Sequence, residues 1–378
     1  MIIKAINILN YKNISHAELT FSPGLNCLFG LNGMGKTNLL DAIYYLSFCK
    51  SASNHIDSQN IKHDAEYFMI DGTYDDGQGA EMTVYCGMKK RHKKVFKKNG
   101  KEYRKFSDHI GQVPLVMVSP VDGGIISGGS EERRRFMDMV ISQHDKEYLN
   151  AIIRYERALM QRNAMLKADS QAPDADYEVW EEMMDIYGKV VCGKRQKFIA
   201  EFKSYFSELY HYISSGNEDV SLQYTSHCLD ADLRSLLAAN RERDRIIGFT
   251  TKGIHRDDIE MALGGYPVRR EGSQGQNKTF AIALKLAQFT YLDKKDGTKP
   301  LLLLDDIFDR LDGKRVEKII RLVSGDGFGQ IFITDTDKAR FDGILAQVSA
   351  DYKIFEVCDG VITDDCPERI KLWQKMSR

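Results

Sequence analysis

Residues 29–42 read FGLNGMGKTNLLDA, and residues 30–37 within them fit the phosphate-loop pattern of Gly, four residues, Gly, Lys and Ser or Thr. The apolar residues 25–29 before the loop predict a strand, and residues 37–48 after it predict a helix. This order of strand, loop and helix distinguishes nucleotide sites from chance matches to the pattern. We therefore expect a nucleotide to contact Gly30, Leu31, Asn32, Gly33, Met34, Gly35, Lys36, Thr37 and Asn38.

Phosphate loops bind through their backbone as well as their side chains. Glycines allow successive N–H groups to turn toward the phosphates. Lys36 can then reach the β and γ phosphates, and the hydroxyl of Thr37 can bind Mg²⁺. ATP and Mg²⁺ are the expected ligands.

A second motif, which contains paired aspartates, follows much later, where residues 300–312 read PLLLLDDIFDRLD. Four consecutive leucines predict a buried parallel strand, and ligands bind at the carboxyl ends of such strands. Asp305 is the candidate partner of the metal, and Asp306 the candidate to orient or deprotonate an attacking water. With Lys36 they form the predicted catalytic set. Alternatively, paired aspartates after a strand could simply cap a helix.

The composition suits a folded chain with two lobes, since 378 residues are 43% hydrophobic and 28% charged. The amino terminus lacks a secretory signal, and no apolar run approaches the ~20 residues that span a bilayer. We expect a cytoplasmic, nucleoid-associated protein that does not bind membranes. Seven scattered cysteines never show Cys-x-x-Cys spacing, which argues against a disulfide framework or a zinc site.

The net charge is −1, yet positive charge is concentrated in one segment. Residues 89–105 read KKRHKKVFKKNGKEYRK and contain ten Lys or Arg against one acid, Glu102, so this segment carries +9 and the remainder −10. Asn99-Gly100 predicts a hairpin turn between two short strands. Concentrated cations favour a polyanion such as DNA. Alternatively, these lysines could only protect a sheet edge from aggregation.

The order of predicted elements indicates an α/β fold that is interrupted by helices. Strand patterns dominate up to about residue 118, helical periodicity covers residues 130–167 and 177–214, and strands resume from about residue 248. We predict an ATPase lobe formed by residues 1–120 and 246–378, with a mainly helical lobe at 121–245. Asp305 lies 269 residues after Lys36, as such an insertion requires. The helical periodicity is not a sustained heptad, which argues against a long coiled coil.

Residues 271–280, EGSQGQNKTF, predict the start of another helix. Ser273, Gln274, Gly275 and Gln276 would present a hydroxyl and free backbone N–H groups, and such groups bind anions. An ordinary capped helix would have the same pattern.

Together these features resemble the ABC-type ATPases of DNA repair and chromosome maintenance, and within them the RecF family of bacterial recombination mediators. The matching motifs span nearly the whole chain: Tyr11-Lys12-Asn13, residues 30–43, SGGSEERRRFMD at 127–138, GIHRDD at 253–258, EGSQGQ at 271–276, LLLDD at 302–306 and IFEVCDG at 354–360. The chain departs from the family where Asp41 replaces the usual Glu and where Pro120-Val121-Asp122 replaces Pro-Glu-Asp. Thr334-Asp335 stands where many ABC ATPases have histidine.

The resemblance implies an ABC-type P-loop ATPase head with an inserted helical lobe. ATP would bind between two protomers, with Ser273 and its neighbours of one copy reaching the γ-phosphate held by the other. The homodimer would therefore depend on ATP, and slow, DNA-stimulated hydrolysis would reopen it. Asp312 is implied to couple the two sites across the interface.

The resemblance also implies partners. The dimer would clamp double-stranded DNA near gaps or junctions with single strands and help to load a recombinase, and RecR and RecO are the implied protein partners. The candidate DNA contacts are the basic segment and three later arginines: Lys89, Lys90, Arg91, Lys93, Lys94, Lys97, Lys98, Lys101, Arg133, Arg134 and Arg135. The partner of the three arginines could equally be an internal carboxylate.

Two other functions remain open from the residues alone. One is an SMC-like ATPase that acts through a partner protein, against which the near-complete set of motifs argues. The other is a P-loop kinase for a small molecule, in which Asp306 would activate an acceptor hydroxyl. Such a kinase would have no use for the Ser273–Gly275 pattern.

Overall fold

The computed structural model describes residues 1–77, 79–168, 173–214, 216, 218–308, 311–325, 327–336 and 351–364. These residues divide into two compact units. Unit 1 contains Met1–Pro120 and the described residues from Leu292 onward, and unit 2 contains Val121–Tyr291.

A mostly parallel sheet forms the centre of unit 1. Its order is β15-β14-β3-β13-β12-β8, and only β15 runs antiparallel to its neighbour. Every residue of β3, β8, β12 and β13 is buried, as expected for strands covered on both faces. The strands are β3 (Leu25–Phe29), β8 (Leu115–Val118), β12 (Leu301–Asp305), β13 (Ile331–Asp335), β14 (Tyr352–Cys358) and β15 (Val361–Asp364).

A second, antiparallel sheet completes unit 1 in the order β2-β1-β4-β5-β6-β7. In β4 and β5, buried side chains alternate with partly exposed ones, so one face of the sheet packs inward. The strands are β1 (Ile2–Tyr11), β2 (Ile14–Thr20), β4 (Tyr67–Asp75), β5 (Glu81–Lys89), β6 (Val95–Lys98) and β7 (Lys101–Glu102). Two helices, α1 (Lys36–Phe48) and α10 (Gly313–Val323), also lie within this unit.

Unit 2 is mainly helical and carries the three-stranded sheet β11-β10-β9. The sheet strands are β9 (Val220–Thr225), β10 (Asp258–Leu263) and β11 (Tyr266–Pro267). No helix in the described ranges is long and apolar enough to cross a membrane. The helices are α2 (Gly123–Ser127), α3 (Ser130–His144), α4 (Lys146–Ala168), α5 (Asp174–Ser214), α6 (Leu233–Ala239), α7 (Arg241–Ile247), α8 (Val268–Glu271) and α9 (Gln274–Asp296).

Residues 130–167, whose periodicity predicts continuous helix, form two helices that are separated at Asp145. Asp145 adopts an extended backbone, and its side-chain oxygen accepts the N–H of Tyr148 at 2.8 Å. A side-chain acceptor at this position satisfies a free N–H of the following helix, so the break is locally stable.

Buried ion pairs tie the helices of unit 2 to one another and to the loop before β10. Arg162 is fully buried and donates to Glu181 at 3.0 Å and to Asp244 at 2.8 Å. Arg195 is similarly buried and is paired with Asp138 and Asp257 at 2.7 Å each. Removing one member would leave a buried charge without its partner, which is strongly destabilising.

The second boundary of the units differs from the predicted return to the ATPase lobe at residue 246. It falls within α9, between Tyr291 and Leu292. The reason is the pairing of β10 with β9 along its whole length, which keeps the chain after residue 246 in unit 2. Strand patterns show that β10 exists, but they do not say which strand it pairs with.

Candidate functional site

The phosphate loop connects buried strand β3 to helix α1, as its sequence predicts. Gly30, Gly33 and Gly35 all have positive φ, at +157°, +83° and +116°. A Cβ on Gly30 would lie 2.2 Å from the carbonyl oxygen of Val357 in β14, so only glycine fits there without displacement. The loop conformation therefore depends on its glycines.

The side chain of Lys36 folds back over the loop. Its ammonium donates to the carbonyl oxygens of Gly30 at 2.7 Å and Leu31 at 3.0 Å. Burial lowers the pKa of Lys36, and the negative charges of Asp306, Asp305 and Asp335 oppose that shift. The cation is thus held at the loop and faces three carboxylates at the ends of neighbouring strands.

Thr37 and Asp305 meet although 268 positions separate them. The hydroxyl of Thr37 donates to Oδ1 of Asp305 at 3.0 Å. Parallel pairing of β3, β13 and β12 brings the carboxyl ends of these strands to one edge of the sheet. Burial raises the pKa of Asp305, while its hydrogen bonds from Thr334 and Thr37 act in the opposite direction.

Thr334 also belongs to this site, although the sequence patterns did not indicate that it would position the two aspartates. Its hydroxyl donates to Oδ1 of Asp305 at 2.8 Å and accepts the backbone N–H of Asp306 at 2.9 Å. Asp306 has φ +50°, a left-handed conformation that is uncommon outside glycine. Thr334 therefore holds both aspartates in place. In the sequence, its position at the end of a buried apolar strand could have identified it as a site residue.

Two turns outside the phosphate loop hold it in place through hydrogen bonds. Asn13 donates to the carbonyl oxygen of Met34 at 3.0 Å and accepts from the amide of Asn38 at 2.7 Å. The N–H of Gly360, in the turn between β14 and β15, donates to the same carbonyl oxygen at 2.8 Å. The sequence motifs contained both residues, but only their contacts reveal this supporting role.

Asp41, where the family usually has Glu, holds the turn that carries Asn13. The hydroxyl of Tyr11 donates to Asp41 at 2.5 Å, and the ammonium of Lys12 forms an ion pair with the same carboxylate at 2.5 Å. Asp41 is only 1% exposed. The shorter side chain therefore still binds the Tyr11-Lys12-Asn13 turn.

The Ser273 turn in unit 2 begins helix α9 with a reciprocal cap. The N–H of Gln276 donates to Oγ of Ser273 at 3.2 Å, and the N–H of Ser273 donates to Oε1 of Gln276 at 2.8 Å. This capping box satisfies two N–H groups and leaves Ser273 and Gln274 exposed. Both the capped-helix interpretation and an exposed anion-binding turn are consistent with this geometry.

Asp312 and Asp122 have local partners. Asp312 caps α10 by accepting the N–H of Arg315 at 3.0 Å, and Arg310 beside it lies outside the described residues. Asp122 forms an ion pair with Lys285 of α9 at 3.5 Å. Asp312 remains a candidate for coupling the sites, because a capping carboxylate at an exposed helix start is still accessible.

The predicted basic hairpin is present as β6 and β7, with Asn99 and Gly100 in its turn at φ +49° and +76°. The exposed cations among the candidate DNA contacts of this segment are Lys89, Lys90, Arg91, Lys93 and Lys101. Lys97 and Lys98 are partly buried, and Lys98 donates to Gln112 at 2.6 Å.

Lys94 differs from its neighbours. Its side chain is 9% exposed, and its ammonium donates to the hydroxyl of Tyr45, the carbonyl oxygen of Cys49 and the carboxylate of Asp57, at 3.0, 2.6 and 2.7 Å. These contacts occupy the ammonium inside unit 1 and argue against the predicted DNA contact of Lys94. Lys94 instead anchors the segment before β6 to the interior of unit 1.

The three arginines at the start of α3 also have different environments. Arg133 is buried and forms a bidentate pair with Asp258 at 2.5 and 2.9 Å, which argues against a DNA contact and for the alternative of an internal carboxylate partner. Arg134 donates to the carbonyl oxygen of Asp257 at 2.8 Å. Arg135 is exposed and pairs with Glu131 and Glu132 of its own helix, and such surface pairs are weak enough for it to rearrange toward a phosphate.

Comparison with known proteins covers nearly the whole chain. The family model of the RecF/RecN/SMC N terminal domain matches residues 2–363. The DNA replication and repair protein RecF of Phocaeicola vulgatus is 59% identical over 365 residues, which are 96% of this chain and 98% of that protein. RecF of Porphyromonas gingivalis is 49% identical over 363 residues, which are 96% of this chain and 100% of that protein.

Solved structures agree with these sequence relatives. The recombination mediator protein RecF in its ATP form, from the RecFOR pathway, has a TM-score of 0.87 and 31% identity, covering 97% of this chain and 98% of that one. An Smc head domain from Pyrococcus furiosus has a TM-score of 0.57 and 17% identity, with 100% of both chains covered. At that identity the likeness to Smc shows the fold alone.

Proposed function

This chain belongs to the RecF family, within the RecF/RecN/SMC group of ABC-type ATPases, and we propose that it closes as an ATP-dependent dimer on duplex DNA beside gaps or single-strand junctions. It is a recombination mediator of the RecF type. The clamp, its DNA structure and its response to DNA are the parts that we propose.

The observation that carries the ATP-dependent part of the proposal is the contact between Thr37 and Asp305 beside Lys36. A hydroxyl and a carboxylate oxygen 3.0 Å apart are ligands of the kind that Mg²⁺ uses together with substrate phosphates. Thr37 and Asp305 would therefore hold the ion, which, when bound, neutralises charge on the β and γ phosphates. Lys36 lies on the same loop and supplies a further positive charge.

Asp306 is proposed to orient the attacking water. Its backbone is fixed by Thr334, and of the three carboxylates near Lys36 its charge acts most strongly on that lysine. A carboxylate in that position can accept a proton from a water aligned with the γ-phosphate. We expect hydrolysis to be slow and to increase with DNA.

The second half of each site would come from the other copy. Ser273, Gln274, Gly275 and Gln276 form a helix start in which Ser273 and Gln274 are exposed, and the γ-phosphate gives such a start an anion to bind. ADP offers much less for these groups to contact, so hydrolysis would favour reopening. Asp312 is proposed to couple the two sites across the interface.

DNA would be bound through its phosphates, without base recognition. The proposed contacts are the exposed cations Lys89, Lys90, Arg91, Lys93 and Lys101, with Lys97, Lys98, Arg134 and Arg135 as weaker candidates. RecR and RecO are proposed protein partners, since the matched RecF structures come from the RecFOR pathway.

The test measures oligomeric state by light scattering with ATP, with and without gapped duplex DNA. Wild type should dimerise with ATP, Lys36→Met and Ser273→Arg should stay monomeric, and Asp306→Asn should accumulate as a DNA-bound dimer. Lys50→Met, at an exposed lysine after α1, is the matched control and should behave as wild type. A wild type that hydrolyses ATP but stays monomeric with DNA would contradict the clamp.

A further inference from the structure

We infer that Glu218 is a positioning residue for the Ser273 turn, and the inference rests on the function proposed above. Glu218 lies between α5 and β9 and belongs to no motif that the sequence singled out. Its carboxylate connects the end of the longest helix in unit 2 to the helix start that would contact the γ-phosphate.

The connection runs through Gln276. Oε1 of Glu218 accepts a hydrogen bond from the side-chain amide of Gln276 at 2.6 Å. The amide oxygen of Gln276 in turn accepts the N–H of Ser273 at 2.8 Å. With both ends of its amide bound, Gln276 has one orientation, and its oxygen faces Ser273.

Glu218 is itself held from the opposite side. Its Oε2 accepts the hydroxyl of Tyr210 at 2.9 Å, and its backbone carbonyl oxygen accepts from Nε2 of His211 at 3.0 Å. Tyr210 is fully buried, and its ring lies 5.8 Å from that of Phe280 in α9. The carboxylate of Glu218 is therefore held in place by the packed part of unit 2 around Tyr210.

This arrangement would prepare the turn for binding. A free Gln276 could rotate and leave the N–H of Ser273 without its acceptor, and ordering it would then oppose dimerisation. Groups held in advance by a supporting layer bind without that loss. Glu218 would thus strengthen contacts between protomers without touching the nucleotide.

The negative charge itself is not required. A carboxylate near the incoming γ-phosphate opposes anion binding, whereas a glutamine could accept from Gln276 and donate to Tyr210. The hydrogen-bonding role therefore predicts that Glu218→Gln retains function while Glu218→Ala does not.

The experiment compares Glu218→Ala, Glu218→Gln and Tyr210→Phe with wild type. Two quantities are measured: the dimer dissociation constant with ATP, by light scattering, and the affinity of the dilute monomer for a fluorescent ATP analogue. Glu218→Ala should weaken dimerisation roughly tenfold or more, because the hydrogen bond that orients Gln276 is removed at each of two sites. Tyr210→Phe should weaken it less, and Glu218→Gln should match wild type or exceed it.

Monomer affinity for the analogue should remain unchanged in all three variants, since the phosphate loop is intact. Glu208→Ala, at an exposed position of α5, is the matched control and should dimerise as wild type. If wild type dimerises and Glu218→Ala dimerises equally tightly, or if Glu218→Gln is as weak as Glu218→Ala, the positioning role is overturned. If wild type itself does not dimerise with ATP, the proposed clamp fails instead.

Discussion

Two glycines with nearly identical φ angles show how strongly the surroundings of a residue decide its importance. Gly360 has φ +75° and Gly100 has φ +76°. A Cβ on Gly360 would lie 2.3 Å from the carbonyl oxygen of Asn13, whereas a Cβ on Gly100 would meet no atom within 4 Å. Only Gly360 also donates to the phosphate loop, through the carbonyl oxygen of Met34.

We predict that Gly360→Ala lowers both stability and ATP affinity, because the new methyl group must displace Asn13 and the loop that it supports. Gly100→Ala should lose only about 1 kcal/mol, the energy of placing an alanine in a left-handed conformation. Urea unfolding and ATP titration of both variants provide the measurement. Equal ATP affinities for the two variants would contradict the supporting role of the Gly360 turn.

His255 is held as a neutral ring in unit 2. Its Nδ1 accepts the hydroxyl of Tyr155 at 2.9 Å, and its Nε2 donates to the carbonyl oxygen of Thr250 at 3.0 Å. Burial lowers the pKa of His255 to about 4, and the positive charges of Arg256, Arg134 and Arg162 act in the same direction. The unfolded chain, with a pKa near 6.5, therefore takes up the proton first.

Stability should accordingly be lost as pH falls from about 6.5 toward 4. At pH values between the two pKa values, His255 is protonated in the unfolded state but neutral in the folded state. The free energy of unfolding therefore decreases as the pH falls. Between pH 7 and pH 5 we expect His255 to contribute a loss of about 1–2 kcal/mol. The measurement is urea unfolding of wild type and His255→Asn at both values, and an identical pH dependence in the two proteins would refute this assignment.

At the scale of elements, a single basic segment contains cations with opposite roles. The hairpin turn follows from Asn99-Gly100, and the segment pairs with β5 through residues 95–98. Lys93 is exposed, while its neighbour Lys94 is bonded to Asp57 inside unit 1. The charge of the segment is therefore a sum over surface and internal residues, and only the surface residues can contribute to a polyanion site.

Lys93→Ala and Lys94→Ala form a matched pair. Lys93→Ala should leave stability unchanged and weaken DNA binding, with the slope of log K against log salt concentration falling by about 0.9 for each phosphate that the protein no longer neutralises. Lys94→Ala should destabilise the protein by about 1–3 kcal/mol, because Asp57 and two other acceptors lose their donor. Fluorescence anisotropy at several salt concentrations and thermal unfolding separate the two effects, and the reverse pattern would show that the roles were exchanged.

At the scale of the whole molecule, the site is assembled from distant parts of the chain. The phosphate loop and Asp305 are joined by parallel pairing on either side of β13, and unit 2 is inserted between them in sequence. If a second copy completes each nucleotide site, the catalytic unit is a pair of chains. Defects in different parts of the site should then complement one another.

Mixing Lys36→Met with Ser273→Arg tests this directly. A mixed dimer has one site with an intact phosphate loop from one copy and an intact Ser273 turn from the other. Because neither variant dimerises alone, the dimers that form should be mixed and have one good site each, so turnover should recover to at most about half of wild type. Each variant alone should be inactive, and a mixture as inactive as its components would argue against a shared site.

Local sequence determined the elements and their class. The phosphate loop between strand and helix, the four-leucine strand before two aspartates and the Asn-Gly hairpin are all properties of neighbouring residues, and all three elements occur as predicted. The ABC-type α/β fold with a helical insertion is confirmed by the relatives and by the solved RecF structures. The roles of individual site residues, the ATP-dependent dimer and the DNA contacts remain predictions.

Only the tertiary structure decided which side chains meet. It placed Lys94 and Arg133 among internal carboxylates, brought Thr334 and Asn13 to the phosphate site, and kept β10 in unit 2. Local patterns report how a residue relates to positions a few places away, through helical and strand periodicity. Local patterns do not show which strand end or helix start lies beside a residue after folding. Those neighbours determine whether a charged side chain binds a ligand or pairs with another residue of the protein.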